Sequence, residues 1–404
     1  LKIAFIEPSG KGGMIHYAFQ LCRAMANAGA DVTLITEKSY ELASLPHNFR
    51  VEPTIELWDP KPSGRVSTAW WAVAWRKTRR VTRAVRYYRE WLRMTRRVRK
   101  LAPDLVLLGD IRFPFDLFPL MLLRRNARVL ADICHNVHPF SAGGKSAGLF
   151  DRSARRAFFY RRIYRLFDFV FVHFARNRDE FVRSFPVPAS RVDVIYHGNE
   201  EIFRELRAPG VDANTLRRRL NLPANEPVIL FFGTLSRYKG TDVLIEAFAR
   251  MRQKDRARLV LAGFPFHDFD VRKHQELTER LGISDRVTWV PEYIDSAEVA
   301  AWMELASAIV FPYRDIYQSG AIHVAQTFGV PIVASAVGAM QDVVENDVSG
   351  LLVPTGDADA LARALERLLD DPQLAARLGA RAAEDARTDF GWDAIARIIT
   401  ARLA

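Results

Sequence analysis

Three loops and one histidine in this sequence carry the residue types that handle an anion or a hydroxyl. The first loop is Ser9-Gly10-Lys11-Gly12-Gly13, which runs straight into residues with helical spacing (Met14, Tyr17, Ala18, Leu21, Cys22, Met25). A glycine turn at a helix N-terminus lets an anion approach backbone N–H groups and the positive end of the helix dipole. Gly12 and Gly13 are therefore candidate phosphate ligands, although the same pair also makes a plain tight turn. The second loop is Gly233-Thr-Leu-Ser-Arg-Tyr-Lys-Gly240, after the apolar run Val228–Phe232. Lys239 there supplies a point charge, with Arg237 two positions before it. Further on, Ser319-Gly320 opens the helical stretch Ala321–Phe328, with Ser319 as the expected N-cap. His135 follows the strand-like Val129–Asp132, at the end of a strand where α/β sites collect.

The elements that must hold these residues alternate regularly. Strand-like runs at Lys2–Ile6, Asp31–Thr36, Leu105–Leu108, Val129–Asp132, Phe167–His173 and Val192–Tyr196 are separated by helical or polar segments. The rhythm restarts at Val228–Phe232 and continues through Arg258–Ala262, Val287–Val290, Ala308–Phe311 and Pro331–Ala334. This predicts an α/β protein of two Rossmann-like, doubly wound parallel-sheet domains. The first is expected over 1–200 and the second over 201–385. An amphipathic helix in 386–404 is expected to pack back toward the first.

At 404 residues the length suits two ordinary domains. Cys22 and Cys134 are too few for a disulfide framework or a thiolate metal site, which suits a reducing compartment. No cluster of His, Cys or Asp reads as a metal site, so no metal and no bound cofactor is expected. There is no signal-peptide pattern and no apolar run near the roughly 20 residues that span a bilayer, so a cytoplasmic location is expected.

The net charge of +11 is concentrated. Residues 65–100 hold thirteen Lys or Arg and the single acid Glu90, so the rest of the chain is nearly neutral. Arg76, Lys77, Arg79 and Arg80 are interleaved with Trp70, Trp71, Trp75, Tyr87, Tyr88, Trp91, Leu92 and Met94. Basic residues with aromatic anchors suit a peripheral helix on the anionic inner face of a cell membrane. A solvated basic face would have the same composition. Nucleic acid is disfavoured, because no binding motif accompanies the charge. A second such stretch is Arg152–Arg165, with Phe158, Phe159, Tyr160 and Tyr164.

In order and spacing these motifs resemble the family 4 glycosyltransferases of the GT-B fold, in which the two domains face a central cleft. The residues concerned are Lys11-Gly12-Gly13, Cys134-His135-Asn136, Tyr196-His197-Gly198-Asn199, Phe232–Gly240, Gly329-Val-Pro-Ile-Val-Ala334 and Ser349-Gly-Leu-Leu-Val353. The resemblance implies a hexosyltransferase that moves a sugar from a UDP- or GDP-sugar to an acceptor hydroxyl, metal-independently and with retention. A lipid-linked saccharide of polysaccharide or glycoconjugate synthesis is the acceptor it suggests. It also implies that His135 hydrogen-bonds the transferred sugar, that Lys239 and Gly233 hold the diphosphate, and that Glu292 and Tyr293 lie beside the base. His138 is read as shaping its loop.

The chain departs from the family pattern twice. The basic residue expected after the first glycine of the phosphate loop is Thr234, leaving Arg237 as the available substitute. The paired glutamates expected before Gly329 are Ile316 and Val324. The chain reads Tyr317-Gln318-Ser319-Gly320 instead, like a subgroup with a Gln-Ser-Gly loop, and Asp315 and Gln318 are the candidates to contact the sugar. The rival readings are a nucleotide-sugar 2-epimerase on the same fold and a catalytically weak sugar-nucleotide-binding module. No carboxylate pair at glycosidase spacing is present to support hydrolysis.

Overall fold

The computed structural model describes residues 1–56, 70–111, 113–137, 154–316 and 318–403, with 70–81, 83 and 154–157 as backbone only. His138, Tyr317, Arg65 and the side chains of Trp70, Trp71, Trp75, Arg76, Lys77, Arg79 and Arg80 lie outside the described residues. The chain divides into two compact units. Among the described residues, one unit falls within 1–137, 154–195 and 395–403, and the other within 196–394. The division falls five residues before the expected boundary. Of the C-terminal helix Trp392–Ala401, the residues from Ile395 onward belong to the first unit.

The first unit holds a seven-stranded parallel sheet, in the order β3-β2-β1-β4-β5-β6-β7. Its strands are β1 Lys2–Ile6, β2 Asp31–Glu37, β3 Arg50–Ile55, β4 Leu105–Leu108, β5 Val129–Cys134, β6 Phe169–Val172 and β7 Val192–Val194. Burial on both faces explains why most are near-continuous apolar runs. β3 is the exception and was not expected. It is an edge strand with Ile55 as its one fully buried residue, and it contains Pro53. An edge tolerates the missing N–H, and the register shifts opposite it, between Thr36 and Glu37.

The basic segment forms a helix over Trp70–Leu101. Trp91, Met94 and Val98, at spacings of three and four, are buried in the first unit's core. Tyr87 also leans on that core, and its hydroxyl donates to Asp116 at 2.6 Å. Trp91, Met94 and Tyr87 are therefore core residues, which corrects their reading as interfacial anchors. Tyr160 and Tyr164 are buried likewise, while Leu92 and Phe158 stay exposed.

The second unit holds a six-stranded parallel sheet, in the order β10-β9-β8-β11-β12-β13. Its strands are β8 Val228–Phe232, β9 Arg258–Ala262, β10 Val287–Val290, β11 Ala308–Phe311, β12 Ile332–Ser335 and β13 Leu351–Val353. Trp302, Phe231, Phe248 and Phe311 are fully buried in it. In each sheet the strand order reverses once, between β1 and β4 in the first and between β8 and β11 in the second. Loops leaving the carboxyl ends of such strand pairs flank a crevice. Both cysteines are buried and free. No helix among the described residues is long and apolar enough to cross a membrane.

Candidate active site

In the second unit the loops after β8 and β11 meet at the reversal point. Gly233 leaves β8 with φ +116°, and Gly263, leaving β9 with φ +150°, packs so closely that a Cβ on it would stand 1.9 Å from the Gly233 carbonyl oxygen. The loop is pinned at several points. Leu235 and Phe264 join through a backbone bond of 2.8 Å, and Ser236 Oγ donates to the Asp268 carboxylate at 2.8 Å. Gly240 turns at φ +65° against the Pro312 carbonyl, where a Cβ would come within 2.0 Å. Arg314 ties the turn down from the β11 side. Its N–H donates to Tyr238 O at 2.7 Å, and its guanidinium makes two bonds of 2.7 Å to Asp242.

This frame holds Lys239 nearly buried. Its Nζ lies 3.3 Å from where a Gly233 Cβ would stand and 5.2 Å from the Tyr313 ring centre. Burial pulls the ammonium below the ordinary lysine range. Ser319 sits at the N-cap of helix Gly320–Phe328, but its hydroxyl makes no capping bond. Instead it lies 3.4 Å from the Tyr313 hydroxyl, which corrects the expectation that it caps the helix. Ala321, in the first turn, is 3.9 Å from the Gly233 Cβ position. Lys239, Gly233 and the N-terminus at Ser319-Gly320 thus converge, and a diphosphate is the ligand such a set suits.

The remaining candidates of this unit are less enclosed. Arg237 and Thr234 are exposed, and Asp315 and Gln318 are half-buried. Glu292 and Tyr293 are exposed beyond the end of β10. That strand is two places from β8, a lateral distance of about 10 Å. His197, just beyond Tyr196, approaches the same helix end; a Cβ on Gly320 would lie 4.0 Å from its Cε1. Its ring stacks flat on buried His323, with centroids 5.0 Å apart. Burial pushes both imidazoles down, His197 to about 4.

In the first unit the glycine turn follows β1. Gly12 has φ +77°, and no atom lies within 4 Å of where a Cβ on Gly12 or Gly13 would stand, so the backbone is open to close approach. The Gly12 N–H already donates to Glu41 Oε1 at 2.7 Å, and Glu41 lies 2.6 Å from His16 Nε2. Gly10 N–H donates to Glu37 at 3.1 Å. His135 follows β5 and is buried. The parallel register pairs Cys134 with Val172, so the next residue on each strand, His135 and His173, are side by side. Their Nδ1 and Nε2 atoms are 2.9 Å apart. Tyr17, on helix Gly13–Asn27, sets its ring edge-on to both, 4.9 Å from His135 and 5.7 Å from His173.

Sequence reading did not find Glu41, His16, His173, Tyr313 or Arg314. A position at or just beyond a strand's carboxyl end could have marked His173, Tyr313 and Arg314. Glu41 and His16 depend on pairings that the sequence does not display. Among the described residues no group of three or more His, Cys, Asp or Glu side chains could hold a metal ion.

Comparison with known proteins agrees with this geometry. Residues 12–198 match the glycosyl transferase 4-like domain, and residues 212–385 match the glycosyl transferases group 1 family. A D-inositol 3-phosphate glycosyltransferase of Streptomyces griseus is 37% identical over 253 residues, covering 57% of this chain and 53% of the relative. The chain thus spans about half the length of that curated relative. Among solved structures, the sucrose-phosphate synthase from Thermosynechococcus elongatus superposes with a TM-score of 0.70 at 25% identity, covering 99% of this chain and 98% of that one. Anabaena HepE, solved in complex with UDP and glucose, shares the fold with a TM-score of 0.68 at 19% identity, covering 99% of this chain and 98% of that one. With two parallel-sheet α/β units and both family matches, the chain belongs to the family 4 glycosyltransferases of the GT-B fold.

Proposed function

We propose that this protein transfers a hexose from a UDP- or GDP-sugar to an acceptor hydroxyl, with retention of anomeric configuration. The observation that carries the reading is the nearly buried Lys239 beside Gly233 and the helix N-terminus at Ser319-Gly320. A cation held out of water acts strongly on charge that develops nearby. As the bond from the sugar C1 to the phosphate oxygen breaks, charge grows on the leaving diphosphate, and Lys239 and the helix N–H groups stabilise it in the role a divalent cation would otherwise fill. The acceptor oxygen bonds C1 on the same face, and its proton passes to the departing phosphate. His135 hydrogen-bonds the transferred sugar. Asp315 and Gln318, in the Gln-Ser-Gly loop, take up contacts of the absent glutamates, and Glu292 and Tyr293 lie near the base.

The acceptor is a lipid-linked saccharide presented at an anionic membrane surface. Exposed Phe113, Phe115 and Phe118 adjoin the arginine-rich helix, with the Tyr88 hydroxyl donating to Phe115 O at 3.3 Å. An apolar rim beside a basic helix suits the headgroup region.

The test is calorimetric titration with UDP-glucose, UDP-galactose and GDP-mannose, followed by donor hydrolysis assays with and without EDTA. Binding of one donor and slow EDTA-resistant release of its nucleoside diphosphate are expected. Absence of binding to any of them would sink the reading.

A further inference from the structure

Resting on the proposed role of His135 toward the sugar, we infer that His173 is a positioning residue that sets which nitrogen of His135 carries the proton. His173 is fully buried, with its Nδ1 3.3 Å from the Ile195 carbonyl oxygen and its Nε2 2.9 Å from His135 Nδ1. A carbonyl oxygen only accepts, so the proton of a neutral His173 lies on Nδ1. Its Nε2 is then a lone pair and accepts the Nδ1–H of His135, leaving His135 Nε2 as a lone pair too. The relay runs from the Ile195 carbonyl through His173 to His135.

The polarity has a chemical consequence. His135 Nε2 is buried in this structure; in this tautomer it can only accept, so a sugar hydroxyl brought to it is oriented as a donor. The opposite tautomer would present N–H and turn the hydroxyl round. The geometry also resists rotation of the rings. Parallel register places the two histidines abreast, and Tyr17 sets its ring against both. Tyr17 lies on the helix that begins at Gly13, so the glycine turn and the relay share one rigid support.

The deciding experiment reads the proton rather than the reaction. In ¹⁵N-histidine-labelled protein near pH 8, long-range proton–nitrogen correlation should show His135 protonated at Nδ1 and bare at Nε2, with assignments from His135→Gln and His173→Gln. A proton on His135 Nε2, or a doubly protonated His173, would overturn the proposal.

In His173→Phe, which keeps a ring but removes the acceptor, His135 should shift toward the Nε2–H form. Turnover should fall about tenfold to a hundredfold, the range known for losing the outer hydrogen-bond partners of metal-bound histidines, with donor KM little changed. In His173→Gln the amide oxygen can accept from His135, and most turnover should return. Equal losses in the two variants, with native-like circular dichroism, would reduce His173 to packing and overturn the proposal. Wild-type protein with the expected tautomer but no transfer from any donor would support the relay and fail the transferase reading instead.

Discussion

The carboxylate of Glu41 occupies the hydrogen-bonding position that the glycine turn would offer an anion, accepting the Gly12 N–H at 2.7 Å. Burial raises the Glu41 carboxyl, but the His16 ring and the Gly12 N–H more than offset this and hold it below the usual range. At neutral pH the turn therefore already faces a negative charge. Any diphosphate that reaches Gly12-Gly13 must displace or tolerate it.

Glu41→Gln keeps an acceptor for Gly12 while removing the charge. If the turn binds donor phosphate, the variant should bind UDP or GDP several-fold more tightly, in keeping with the roughly 1 kcal/mol typical of a charge at a helix N-terminus. Unchanged affinity in calorimetry would place the diphosphate away from this turn.

Lys239→Ala should lower turnover by more than about tenfold, because it removes the nearly buried charge from the leaving group. The wild-type pH profile carries a second sign. Burial depresses the lysine's pKa, so turnover and donor affinity should fall on the alkaline side earlier than a solvated lysine would allow. That limb should be absent in Lys239→Ala. Near-normal turnover in the variant would remove Lys239 from the mechanism.

The loop after β8 was legible as a loop in the sequence because its glycines, its lysine and the apolar strand before it are contiguous. So were the strands buried on both faces, such as Val228–Phe232, where nearly every residue must be apolar. β3 was not, because an edge strand containing Pro53 buries too little to leave a pattern. Trp91 and Met94 were misread because arginine and aromatic residues alternate all along their helix. Only the spacing that joins them to Val98 shows which face packs. The pairings made by His173 and Glu41 were invisible for a different reason. Their partners lie 38 and 29 residues away and are set by strand register and loop path.

The stacked imidazoles of His197 and His323 make the second unit sensitive to acid. His197 titrates in the folded state near 4, against about 6.5 in an open chain. Between those values the unfolded chain binds the proton and the folded one resists it, so stability is lost as pH falls from about 6.5 toward 4. The loss from His197 is on the order of 3 kcal/mol. His323 is depressed too and adds in the same direction. His197→Phe preserves a flat ring on His323 and should flatten this slope in urea titrations at pH 7.5, 6 and 5. A slope identical to wild type would show that other groups control the acid limb.

The last prediction concerns the membrane surface. Along the described end of the long helix, Arg86, Arg89, Arg93, Arg96, Arg97, Arg99 and Lys100 are exposed. Several already have acidic partners: Arg86 with Glu56 at 2.6 Å, Arg93 with Glu90 at 2.7 Å and Arg97 with Glu52 at 3.1 Å. Pairing reduces what these three arginines can offer an anionic lipid. Each unpaired basic residue near such a surface contributes about 1 kcal/mol. The protein should therefore sediment with vesicles containing phosphatidylserine and much less with pure phosphatidylcholine, and salt should weaken this by screening. Replacing Arg76, Lys77, Arg79 and Arg80 with glutamine should reduce sedimentation and leave donor binding intact, since the donor loops lie elsewhere in the chain. Replacing Phe113, Phe115 and Phe118 with serine should reduce it separately, because they supply apolar rather than ionic contact. Equal sedimentation on both vesicle types, or none on either, would reduce the helix to a solvated basic face and send the search for the acceptor away from the membrane.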